Sequence, residues 1–250
     1  MPDIWNGVLA IEGLFWIVGI TFVAGMVRGF SGFGTAMIYL PVAGQFLPPV
    51  WAVATLAVMD LLGPLPNVPK AIKDAKKADL KRLFGGALLL MPLGIVVLRV
   101  ADPDVFRCLV SLVALVLLST LIFGLRYSGK VYPKMVYGIG GVSGFLGGAA
   151  GMPGPPVIFF YIATPHRPAV IRANTTLFLL GFDVILITLL ALQSMIGIMP
   201  LALGVFLTAP NLVGNVVGAA VFRPGHEKSY RAVAYAIIGA SAISGIPFPF

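Results

Sequence analysis

RGFSGFGTAMIYLP, residues 28–41, and SGFLGGAAGMPGPPVIFF, residues 143–160, decide how this chain is read. Each carries Gly-Phe-x-Gly near its start and closes on proline and apolar residues. Glycine costs helix stability and proline removes a backbone donor, so neither cluster suits the interior of an ordinary helix. Yet both lie in strongly apolar surroundings. The chain of 250 residues is 59% hydrophobic and 10% charged, with mean hydropathy +1.00. A soluble domain carries about 25% charged residues, so this is the composition of an integral membrane protein. Apolar runs at 83–98, 108–125, 171–192 and 198–222 approach or exceed the ~17–25 residues a span needs. No stretch remains for a sizeable soluble domain.

Charge sets the topology. The formal net charge of +8 falls mainly in loops, which fits membrane orientation better than nucleic-acid binding. The loop at 70–82 holds Lys70, Lys73, Lys76, Lys77, Lys81 and Arg82 and is cytoplasmic by the positive-inside rule. Alternation then places 99–107 outside and Arg126, Lys130 and Lys134 inside. The amino terminus lacks the basic flank of a secretory signal and is expected to be retained. Cys108, the single cysteine, excludes an internal disulfide, and its expected role is packing.

GIVVLRVADPDVFR at 94–107 resembles GAAVFRPGHEKSYR at 218–231 at an offset of 124 residues (218 − 94), which indicates an internal duplication. The halves are 1–127 and 128–250, forming one integrated transmembrane domain. The basic loop at 70–82 corresponds to the uncharged 193–199, whereas 99–107 corresponds to the more basic 223–231. His166, Arg167 and Arg172 form a further basic cluster. The bias changes sides, as expected for inverted-topology repeats. Three long helices per repeat are expected: 50–68, 83–98 and 108–125, then 171–192, 198–222 and 232–246. Inversion needs an odd number of crossings, so each glycine-rich segment must contribute an even number. The arms 14–27 and 35–46 span only about 18–21 Å, so a re-entrant, hairpin-like broken helix is the preferred form, with two short crossings as the alternative. The expected fold is an all-α polytopic membrane protein.

The two glycine-proline breaks, the following Pro49-Val-Trp-Ala52-Val-Ala-Thr55 and the short basic loop before the third long helix resemble the TauE/SafE family of sulfite and organosulfonate exporters. The resemblance runs from Arg28 to Arg231. It implies a carrier in a bacterial-type inner membrane that moves sulfite, sulfoacetate or related sulfur-containing anions. The first break reads GFSGFG rather than a tight run of glycines, and the second carries Met152-Pro153 and Pro155-Pro156.

The residues point to an anion site on their own account. A helix interrupted at membrane depth leaves free amides where it restarts, and its dipole favours negative charge there. Corresponding breaks in two halves mark a binding site in many secondary transporters, and these two are expected to converge. Candidate substrate-binding residues are Gly32, Phe33, Gly34 and Thr35 at the first break, with Gly148, Gly151, Met152 and Gly154 at the second. The competing role for such glycines is close helix packing, which suits Gly138, Gly140, Gly141 and Gly144 better. Thr55, Asn174, Thr175 and Thr176 can donate to sulfite or sulfonate oxygens, as can Asn211 and Asn215, one turn apart on one helix. Their alternative is interhelical hydrogen bonding.

Asp60 and Asp183 each fall well inside an expected apolar helix, 123 residues apart (183 − 60), and are candidates for proton coupling. Pairing with a helix terminus or an arginine is the alternative. Arg28 adjoins the first break and can attract an anion or anchor at the interface. Arg172 has the same two options. His166 and His226 are expected in loops, and no cysteine or histidine cluster supports a metal or a cofactor. The scarcity of His, Glu and Cys near the breaks argues against an enzyme acting on lipid phosphate. The leading function is therefore a secondary anion transporter, with an anion channel as rival. Its partners are a small anion and the lipid bilayer, and exposed Gly/Ala faces permit a homodimer.

Overall fold

The computed structural model describes residues 2–65, 68–123, 132–162, 164, 166–222 and 227–247. Among them there is no strand. The helices are α1 (Pro2–Leu9), α2 (Leu14–Ser31), α3 (Thr35–Ala43), α4 (Pro49–Leu62), α5 (Val68–Asp74), α6 (Lys77–Val100), α7 (Pro103–Ile122), α8 (Pro133–Ala150), α9 (Gly154–Ile162), α10 (Pro168–Leu192), α11 (Ile198–Val221) and α12 (Glu227–Gly245). Proline opens α7, α8 and α10, where its missing N–H would have had no helical acceptor and its fixed φ suits the first turn. Among the described residues, five helices are long and apolar enough to cross a membrane: α2, α6, α7, α10 and α11. The protein is an all-helical, polytopic membrane protein.

Several element boundaries differ from the sequence reading. α4 stops at Leu62 after 14 residues instead of running to 68. Gly63 and Pro64 follow directly, and neither favours helix continuation. Residues 70–82 form α5 and the first turns of α6 rather than an open loop. The first arm of the first break is a full 18-residue helix, α2, about 27 Å long. Cys108 is exposed on α7 rather than packed inside. Arg126, Lys130, Arg223 and His226 lie outside the described residues.

The chain forms two compact units, each drawn from both halves of the sequence. The first comprises 1–59, 101–123 and 194–250; the second comprises 60–100 and 124–193. In the first unit α2 packs along α11, and α3 rests on α2, α7 and α12. In the second unit α8 packs along α6, α9 contacts α8 and α10, and α5 lies against α10.

The two dominant helix pairs obey one contact rule. A Cβ built on Gly25 would come within 3.0 Å of Asn211 O, and one on Gly144 within 3.0 Å of Ala87 O. Gly29 stands in the same relation to Asn215 O, and Gly148 to Met91 O. Within each comparison the glycines are 119 residues apart (144 − 25) and the carbonyls 124 apart (211 − 87). The reciprocal contacts follow suit, Gly218 on Met26 O and Gly94 on Phe145 O. In lipid no hydrophobic effect drives helices together, so close backbone approach and dispersion must hold these pairs. The 124-residue offset first visible in the sequence thus recurs in side-chain-free contacts that the sequence could not display.

Candidate functional site

Each glycine-proline stretch is a helix, a short turn and a shorter helix. At the first, α2 ends where the Gly32 amide donates to Arg28 O at 2.7 Å, with Gly32 in the left-handed region at φ 81°. The Phe33 amide donates to Ser31 Oγ at 3.3 Å, fixing the turn. Gly34, at φ 103°, then precedes α3 and offers no capping side chain. The first helical bond runs from the Ile38 amide to Gly34 O at 3.1 Å. Thr35, Ala36 and Met37 consequently begin α3 with amides that have no acceptor within the helix. Thr35 is buried (4% exposed), and its Oγ1 has no hydrogen-bond partner among the described residues. Arg28 occupies the last turn of α2, half-buried and engaged in an interaction of its own.

The second stretch has a similar outline and different chemistry. The Gly151 amide donates to Gly147 O at 3.0 Å and the Met152 amide to Leu146 O at 3.3 Å, closing α8 with Gly151 at φ 66°. The Ser143 hydroxyl donates to Pro153 O. α9 then opens Gly154-Pro155-Pro156, so two residues of its first turn have no N–H at all. The restart after the first break is rich in donors; the restart after the second is poor.

Both short helices are tied down by a tyrosine. Tyr39 of α3 is fully buried, its hydroxyl 2.7 Å from Thr55 Oγ1 on α4. Thr55 Oγ1 also lies 2.8 Å from Trp51 O and 2.9 Å from Ala52 O, which take its single proton, so Tyr39 is the donor. On α9, Tyr161 is fully buried and its hydroxyl accepts from Asn174 Nδ2 of α10 at 2.6 Å. Asn174 Oδ1 accepts from the Lys76 amide at 2.8 Å, which fixes the orientation of the side-chain amide. Thr55 and Asn174 are themselves 119 residues apart (174 − 55).

The remaining candidates take distinct places. Gly32, Phe33, Gly34 and Thr35 stand together at the start of α3, and Gly151, Met152 and Gly154 together between α8 and α9. Gly148 faces the backbone of α6, whereas Gly154 has only ordinary contacts, the nearest to Leu179 at 3.6 Å. Thr175 and Thr176 are half-buried on α10. Asn211 is buried on α11, where its carbonyl faces Gly25 and its Nδ2 lacks a partner among the described residues. Asn215 is half-buried with its carbonyl against Gly29. Asp183 is buried in mid-α10, while Asp60 sits two residues from the end of α4 rather than deep inside a helix; both have interaction partners. Gly140 and Gly144 line the α6 backbone as expected, but Gly138 has open space around it. Tyr39 and Tyr161 were not singled out from sequence, although each is a tyrosine shortly after a break in otherwise apolar sequence.

A family model for the sulfite exporter TauE/SafE matches residues 17–245, nearly the whole chain. The chain belongs to the TauE/SafE family. No curated protein and no solved structure matches it. TauE/SafE membership indicates a transporter for sulfur-containing anions, and the long apolar helices are those of a polytopic membrane protein.

Proposed function

We propose that this TauE/SafE protein carries sulfite, sulfoacetate or a related organosulfonate across the inner membrane by alternating access of two inverted repeats. The observation that carries the reading is the start of α3. Three backbone amides without helical acceptors, a glycine that leaves them uncovered and a buried Thr35 hydroxyl without a partner among the described residues form a compact donor set for a small oxyanion. Arg28 supplies positive charge within the preceding turn. Asp60 and Asp183 are the proposed proton carriers, because protonation would relieve their repulsion of the anion.

The test is a thermal-shift screen of purified protein against sulfite, sulfoacetate, taurine, sulfate and phosphate, followed by counterflow in proteoliposomes. Stabilisation by a sulfur anion and counterflow of the same anion are expected. Stabilisation by none of the five would overturn the substrate class, and passive flux without counterflow would indicate a channel.

A further inference from the structure

The second unit contains a polar cluster that the anion site does not use. Asp79, in the first turn of α6, is buried (3% exposed) and acidic at a helix start, where the dipole favours it. Around its carboxylate stand Lys76 Nζ at 3.2 Å from Oδ2, Arg82 Nη1 at 3.3 Å from Oδ1 and His166 Nε2 at 3.3 Å from Oδ2. The same His166 Nε2 lies 3.1 Å from Lys76 Nζ. From α9, the ring of Tyr161 meets the imidazole edge-on, with centroids 6.2 Å apart. From α10, Asn174 holds the backbone of Lys76 on one side and the Tyr161 hydroxyl on the other.

One ring nitrogen therefore faces both a donor-only ammonium and an acceptor-only carboxylate, and it cannot serve both at once. A neutral imidazole with a bare Nε2 accepts from Lys76 with its one lone pair and has no proton there to offer Asp79. A protonated imidazole donates to Asp79 and repels Lys76. The Lys76 side chain is 49% exposed and can swing away, whereas its backbone is held by Asn174. His166 lies between α9 and α10, so the choice of partner determines how the end of the second broken segment is fastened to α6.

We propose that His166 is a proton-dependent positioning residue, which exchanges a hydrogen bond from Lys76 for an ion pair with Asp79 and so clamps the α9–α10 turn to α6 as the basic side of the membrane acidifies. Imidazole can take up a proton at Nε2, and from that nitrogen it then only donates. The clamp rests on contacts within one unit and needs no bound anion. In the transport reading it adds control of the second broken segment by the pH at its basic end.

The experiment is competitive acylation of the purified, ligand-free protein with an N-hydroxysuccinimide ester between pH 5.5 and 8, scored by mass spectrometry as the ratio of Lys76 to Lys77 labelling. The exposed neighbour Lys77 corrects for reagent chemistry and for ordinary lysine titration. As pH falls, the ratio in the native protein should rise by roughly fivefold, the factor that loss of one hydrogen bond of ordinary net strength is worth. His166→Gln, which can accept from Lys76 and donate to Asp79 together, should give a flat ratio. A flat native curve, or an equal slope in folded His166→Gln, would overturn the proposal; the native curve alone decides if that variant fails to fold. Either result leaves the substrate class untouched, since no anion takes part.

Discussion

At the scale of single residues, Thr35 and Gly34 carry the sharpest expectations. Thr35→Val keeps the side-chain shape and removes only the hydroxyl, so uptake should fall at least tenfold while the melting temperature holds. A loss of uptake matched by a loss of folded protein would instead make the hydroxyl structural. Gly34 has room for a methyl group, its nearest neighbour being Ile238 Cδ1 at 3.5 Å, but its φ of 103° is hostile to any other residue. Forcing a side chain into left-handed backbone costs about 1–2 kcal/mol. Gly34→Leu is therefore expected to reshape the start of α3 and abolish uptake, whereas Gly140→Leu, facing Leu83 O, should mainly reduce the yield of folded protein. Normal uptake by Gly34→Leu would remove this turn from the site. The glycines at 32 and 34 were legible as a break because no stable helix would choose them. Which hydroxyls are already engaged was not. For Thr55 and Asn174 the sequence left donation to an anion and interhelical hydrogen bonding both open, and the fold shows them bonded to Tyr39 and Tyr161.

At the scale of elements, the tyrosine bonds and the glycine seams separate two ways of holding a short helix at membrane depth. Tyr39→Phe and Thr55→Val should each destabilise the protein, and their double variant should show a coupling of about 1 kcal/mol in denaturation. Additive losses would mean that the two hydroxyls do not stabilise one another. For the seams, Gly218→Ala drives a methyl group into Met26 O and should cost about 1–3 kcal/mol of stability. Gly19→Ala on α2, with nothing within 4 Å, is the control and should be neutral or slightly stabilising. Helix existence was readable from apolar length, and most long helices lie where hydropathy puts them. Their ends were not. α4 stops at Leu62 because Gly63 and Pro64 end it, although the apolar run continues through Leu65. The basic stretch at 70–82 is largely helical because its lysines sit beside Ala71 and Leu83, which bury inward. A run of charge signals which side of the membrane a segment occupies more directly than whether it is helical.

At the scale of the whole molecule, each compact unit draws on both halves of the sequence. The compact units cut across the two halves: α2 of the first half pairs with α11 of the second, and α6 of the first with α8 of the second. Matched variants should consequently behave alike. Gly94→Ala and Gly218→Ala, equivalent positions in the two seams, should lower stability by similar amounts, and unequal losses beyond a factor of about three would show that the seams are not energetically matched. The 124-residue offset was legible in the sequence between 94–107 and 218–231. The exchange of helices between halves was not, since hydropathy says which segments are buried in lipid and nothing about which neighbours they choose.

Pro155 and Pro156 bear on a question of counting. The two glycine-proline stretches share one outline, a helix, a turn and a shorter helix. Two consecutive imides have silenced most of the amides at one of them, and an imide nitrogen cannot be recovered by rotation or by a change of pH. Of these two turns, one restarts its helix on amides and the other on a pair of prolines. If the anion sits at the start of α3 as proposed, the start of α9 offers too few amides to form a second such site, and one bound anion per polypeptide is the expected count.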